Sequence, residues 1–172
     1  MTDTGASCHE RLRAAARDDN EEMLLSAIED EHCEINHADG WVFRRVLDTA
    51  DDPLRKSRLG NTALHYATSH GSTNVLEHIL CHVDCDVDPI NAVEKATPLH
   101  LAAQLNDEEL RCFIVNSLLD AGADITIRDK TGRTAREMIP PDDEETMSLF
   151  NRMEAMNSLD LDDIADDEKP TI

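Results

Sequence analysis

Apolar residues recur along the chain in paired runs at helical spacing. Val75, Leu76, Ile79 and Leu80 form one such run, and Leu110, Ile114, Val115, Leu118 and Leu119 form a longer one. Both are the stripe of a helix with a single buried face. Ahead of each lies a shorter run, Leu64 to Ala67 and Leu99 to Ala103. Thr97 suits an N-cap, Pro98 the first helical position, and Leu99 opens the apolar face. Ala102 and Ala103 allow a neighbour to approach closely. Leu119-Asp120-Ala121-Gly122-Ala123-Asp124 then closes the second helix at a glycine. The pattern predicts a short helix, a turn and a second helix, more than once along the chain.

The pairs are copies of one another. Gly60-Asn61-Thr62-Ala63-Leu64-His65-Tyr66-Ala67 is echoed 35 residues later by Lys95-Ala96-Thr97-Pro98-Leu99-His100-Leu101-Ala102-Ala103, and after a further 37 by Gly132-Arg133-Thr134-Ala135-Arg136-Glu137-Met138. Periods of this length mark solenoids. An earlier copy is weaker but in phase, with Leu12 to Ala16, then Met23-Leu24 and Ala27-Ile28. Repeats are expected at 9–40, 59–91 and 92–128, followed by a cap at 129–157. The cap's second helix is predicted from Glu144 to Met156, with Met147, Leu149, Phe150 and Met153 turned inward.

These residues resemble the ankyrin repeat, whose signature runs Asp-x-x-Gly-x-Thr-Pro-Leu-His and closes with Leu-Leu-x-x-Gly-Ala-Asp. The likeness is strong from Gly60 to Met138. It implies an all-α fold: a short solenoid of helix-turn-helix repeats with β-hairpin fingers and a concave recognition face. It also implies that His65 and His100 are structural, tying fingers together through the backbone. Candidate partner contacts at finger tips and on first helices are Asn61, Ser69, His70, Glu94, Ala96, Gln104, Leu105, Lys130, Thr131 and Arg133. Each taken singly also reads as an ordinary solvated side chain.

Four departures from the pattern stand out. Lys95 replaces a turn glycine. Leu99 and Gly122 are 23 residues apart where about 19 are usual, a surplus close to one helical turn. Cys81-His82-Val83-Asp84-Cys85 stands where Gly-Ala-Asp is expected, so that helix end is irregular. Arg136 and Glu137 near the usual Leu-His suit a solvated cap.

One segment breaks the phase. Leu12 and Leu64 are 52 residues apart, too far for one repeat. The stretch Glu34 to Asp39, read as a closing strand, aligns with Asp124 to Asp129. Removing the 18 residues Trp41 to Arg58 restores Asp-x-x-Gly-x-Thr and a spacing of 34. That segment holds the only Trp and a net charge of +2. Two readings stay open: an insertion in a finger loop, or an unspliced in-frame intron of 54 nucleotides that makes the segment an artefact of the gene model.

Charge narrows the function. With 37 Asp and Glu against 16 Lys and Arg, the net charge is −21. Such a field disfavours nucleic acid and anionic membranes, and it favours a basic protein. At 40% hydrophobic and 3% aromatic, the core must be aliphatic. Met1-Thr2-Asp3 begins no signal-like run, the Cys count of five is odd, and no Asn-x-Ser/Thr sequon occurs. These features predict a reduced protein of the cytoplasm or nucleus.

Sites for chemistry are sparse. No phosphate-cradling glycine loop, nucleophile elbow or His-Glu-x-x-His is present. His78, Cys81, His82 and Cys85 offer zinc-like ligands but fit zinc spacings loosely, so no metal, cofactor or catalytic residue is assigned. Ser158 to Ile172 carries six acids and one Lys and is expected to be a disordered acidic tail, or else a short motif that folds onto a basic partner. The resulting reading is a monomeric, non-enzymatic interaction module that adapts or scaffolds. The alternative is a dedicated chaperone for a basic client, since the small acidic build is similar to fungal ankyrin chaperones of ribosomal proteins. A metal-dependent regulator or enzyme is a remote third.

Overall fold

A computed structural model describes residues 6–30, 33–39 and 60–159 of the chain. Among the described residues seven α-helices follow in order: α1 Cys8–Asp18, α2 Glu21–Ile28, α3 Ala63–His70, α4 Thr73–Leu80, α5 Pro98–Ala103, α6 Glu108–Asp120 and α7 Glu144–Leu159, with a short 3-10 helix Arg136–Met138 before the last. The first helices α1, α3 and α5 stack in one row, and the 3-10 helix takes the next place in that row. Behind them α2, α4 and α6 form a second row, which α7 extends. One continuous core runs between the rows, from Leu12 and Leu24 to Phe150.

Local signals start and stop these helices. Ser7 caps α1: the Glu10 amide donates to its hydroxyl at 3.3 Å while its own amide donates to the Glu10 carboxylate at 2.9 Å. Asn20 and Asp107 cap α2 and α6 by accepting from the amides of Met23 and Leu110. The surplus residues of the third repeat lengthen α6 to 13 residues, against eight in α2 and α4. Its apolar face stays in register, with Ile114, Val115, Leu118 and Leu119 buried. Phe150 is fully buried as expected, and Met147, Leu149 and Met153 pack half-buried beside it.

The added turn brings Arg111 into the interior. Its Nε lies 2.6 Å from the Asp143 carboxylate, and both side chains are nearly inaccessible. Arg111 also donates to the Leu105 carbonyl at 2.6 Å, while the Thr146 amide donates to Asp143 at 2.9 Å. Burial opposes ionisation of Asp143, but Thr146 and Arg111 more than offset it and hold its pKa below the ordinary value. The ion pair thus locks the third repeat to the cap.

The fingers differ from the expected hairpins. Among the described residues the sole β-pairing is one antiparallel bridge, Arg128 to Thr134, and the stretch 34–39 is a turn and not a strand. Side-chain hydrogen bonds replace ladders. Asp39 exchanges two bonds of 2.9 Å with the backbone of Asn61, as Asp129 does with Arg133 at 2.9 and 3.0 Å. Asp39 therefore closes onto Asn61 as though they were four residues apart. Trp41 to Arg58, and the chain beyond Leu159, lie outside the described residues.

The turn position that favours glycine is filled three ways. Gly60 and Gly132 have φ of 71° and 82°, and Lys95 adopts 55° in the same place. A non-glycine residue there costs roughly 1–2 kcal/mol. Asn91 offsets the strain by accepting from the amides of Glu94 at 3.0 Å and Ala96 at 3.3 Å.

Leu99 is 1% exposed between stacked repeats, so Leu99→Ala is expected to cost about 2–5 kcal/mol in urea denaturation. Negligible loss would mean the packing register is wrong. Deleting Trp41 to Arg58 leaves the Asp39–Asn61 closure intact, and the melting midpoint is expected to stay within about 3 °C. Loss of a cooperative melt would show that the segment is part of the fold.

Candidate functional site: a groove between two fingers

The histidine at the third position of a first helix sets finger spacing. The Thr62 amide donates to His65 Nδ1 at 3.2 Å, which fixes the proton on Nε2, and Nε2 then donates to the Ala96 carbonyl of the next finger at 3.2 Å. His100 repeats the arrangement: its Nδ1 accepts from the Thr97 amide at 3.3 Å and its Nε2 donates to the Arg133 carbonyl at 3.1 Å. Both rings are buried, at 0% and 1% exposure, and both nitrogens are in use. They are ties between fingers, as their place in the repeat implied.

These ties hold the second and third fingers beside α5. The Lys130 amide adds a bond of 2.7 Å to the Glu94 carbonyl. Between them opens a groove of about 200 Å³. Glu94, Ala96, Gln104, Lys130, Thr131 and Arg133, six of the residues expected to contact a partner, line it together. Val93, Asp129 and Met138 complete the lining. The two acids and two bases balance locally, while Val93 offers an exposed apolar side chain.

Asp129 shapes one wall. Its carboxylate accepts from the Thr131 hydroxyl at 2.6 Å and from the amides of Thr131 and Arg133 at 2.7 and 3.0 Å. The Thr131 hydroxyl bond is the main cause that holds its pKa near 2, so the turn keeps its charge at ordinary pH. Arg133 Nε donates to Thr131 at 2.8 Å, which stiffens the tip further.

The other expected contacts lie apart. Ser69 and His70 are exposed at the end of α3, hydrogen-bonded to the Tyr66 carbonyl. Leu105 packs half-buried against the core. Asn61 is 6% exposed, so its contribution is to finger closure more than to surface. Sequence reasoning passed over Val93 and Met138, because an apolar finger residue carries no signal of facing solvent or core.

His78, Cys81, His82 and Cys85 do not converge. His78 Nε2 lies 2.9 Å from Glu21, His82 accepts from the Asp84 amide at 3.2 Å, and Cys85 packs half-buried on the core. Among the described residues the ligand-bearing side chains that do come together are Cys8, His9 and Cys33. Separation along the chain hid them. No helix among the described residues is long and apolar enough to cross a membrane.

Comparison with known proteins identifies this geometry. The family model described as ankyrin repeats, in three copies, matches residues 11–129. An ankyrin repeat-containing protein of Saccharomyces cerevisiae is 30% identical over 158 residues, covering 90% of this chain and 82% of its own length. Ankyrin repeat and SOCS box protein 6 of Homo sapiens is 38% identical over 74 residues, which are 43% of this chain and 17% of the human protein. The crystal structure of the human ASB11 ankyrin repeat domain superposes with a TM-score of 0.60 at 18% identity, covering 94% of this chain and 54% of that one. That last likeness is one of fold.

Burial lowers the pKa of His65 below its ordinary 6.5, against the pull of the Ala96 carbonyl and Asp39. The unfolded chain therefore takes up this proton first. Stability from His65 is complete above pH 6.5 and falls as pH drops from there to the depressed folded value. In denaturant titrations across pH 7.5 to 5, wild type is expected to lose more stability than His65→Gln. Parallel pH profiles would show that His65 does not carry the effect.

Proposed function

The chain belongs to the ankyrin-repeat family, and from that premise we propose that it is an adaptor that seats a basic partner protein in the groove between its second and third fingers. Ankyrin repeats are protein-interaction modules, and the fold is a scaffold for binding. The observation that carries the reading is the convergence of Glu94, Gln104, Lys130, Thr131 and Arg133 with exposed Val93 around one groove. Hydrogen-bonding groups beside an apolar anchor are what a partner segment needs for orientation and affinity.

The partner's charge follows from the field. A chain at −21 accelerates encounter with a cationic protein and repels an anionic one. The groove itself is balanced, so it reads shape and hydrogen bonding, and the surrounding acids do the steering. The reading includes a monomer, and the odd number of cysteines supports placing it in the reducing cytoplasm or nucleus. It includes no catalysis, because His65 and His100 are committed to the backbone.

The same acid excess favours a second role, a chaperone that keeps a basic client soluble until its assembly. The two differ in what the client needs. An adaptor joins two folded proteins, whereas a chaperone prevents precipitation of one client alone.

Affinity capture followed by mass spectrometry supplies the partner. Glu94→Lys and Val93→Asp are each expected to weaken its binding about tenfold with little change in melting. Raising ionic strength from about 0.01 to 0.1 M shortens screening from about 30 to 10 Å and is expected to slow association. Undiminished binding by both variants would place the contact elsewhere. Association that ignores salt would remove the basic partner.

A further inference from the structure

We propose that Cys8, His9 and Cys33 form a zinc-binding site that fastens the start of α1 to the loop after α2. One ligand atom from each of the three residues lies within 4.8 Å of the others. Two thiolates and an imidazole are the donor set that zinc prefers over harder cations. Tetrahedral zinc, with bonds of about 2.0–2.3 Å, sets its ligand atoms roughly 3.5–3.8 Å apart. The three atoms thus need to approach by about 1.3 Å at most, within the freedom of half-exposed side chains.

Local structure holds the donors in place. The Ser7 capping box fixes the first turn of α1, so Cys8 and His9 leave the helix at a defined point. The Glu34 amide, next to Cys33, donates to His9 Nε2 at 3.1 Å, which turns that lone pair toward the Cys33 segment. The His37 ring stacks on His9 with centroids 3.8 Å apart and fixes its plane. Metal capture exchanges the Glu34 bond for a zinc–nitrogen bond and releases the two thiol protons to solvent.

The consequence is mechanical. A terminal repeat is stacked on one side only, and a bond between α1 and the loop after α2 restrains its fraying.

The test uses the full chain kept fully reduced. Titration with zinc against a chromophoric chelator is expected to show one bound equivalent and a melting temperature that rises with zinc. Cobalt(II) is expected to give a sulfur-to-metal charge-transfer band and the visible absorption of a tetrahedral site. Cys8→Ser, His9→Gln and Cys33→Ser should each weaken zinc binding by about 100-fold or more, whereas Cys81→Ser and Cys85→Ser should leave it unchanged. Circular dichroism of the metal-free variants separates lost ligation from lost fold, and His9→Gln carries the test if a cysteine variant fails to fold. No stoichiometric zinc, zinc retained by the folded Cys33→Ser variant, or zinc lost with Cys81→Ser would overturn the site.

Discussion

A buried imidazole ties each of the second and third fingers to the helix before it. His65 and His100 accept at Nδ1 from their own helix start and donate from Nε2 to the carbonyl of the next finger. One proton position therefore sets helix entry and finger spacing together. Protonating the His65 ring would turn its acceptor into a donor facing another donor, inside a fully buried site. The groove between the second and third fingers exists because this bond holds the two walls at a fixed separation.

The turns show how one geometry is reached by unequal means. Asp39, Asn91 and Asp129 each gather backbone amides at the base or tip of a finger. Where Gly60 and Gly132 accept a positive φ at little steric cost, Lys95 takes it at a price that Asn91 helps to offset. Gly60 is constrained a second way, since a Cβ there would sit 2.8 Å from the Ala92 amide nitrogen. Close packing between fingers and left-handed backbone thus select the same residue.

Acid excess and apolar packing occupy separate parts of the molecule. The core is aliphatic and nearly uniform, while the charge lies on loops, helix starts and segments outside the core. Acids in the first turns of α2, α6 and α7 suit the helix dipole. The one deeply buried ion pair, Arg111 with Asp143, is the exception among the described residues, and it joins the last full repeat to the cap. Removing either partner would strand the other charge away from water, so the pair specifies that junction more than it adds net stability.

The 35- and 37-residue periods, the Thr-Pro-Leu-His start and the glycine stop were enough to determine helix pairs and their order, and the family resemblance they carry implied the roles of His65 and His100. The start and stop signals act within a few residues of themselves, which is why the linear pattern carries them, and the histidine ties, which span 31 and 33 residues, are carried by the repetition of the motif. The longer α6 was legible for the same reason, as a surplus of about one turn. What Arg111 does there was not legible, because burial depends on Asp143, 32 residues away on the cap. The groove was half legible: position in the repeat marked Glu94, Gln104, Lys130 and Arg133, and only stacking showed that Val93 and Met138 face them. Cys8, His9 and Cys33 had no pattern at all, since their meeting is set by how α1 lies against the loop after α2. Spacing along a chain encodes periodic contacts, and the folded structure alone decides which distant side chains share a pocket.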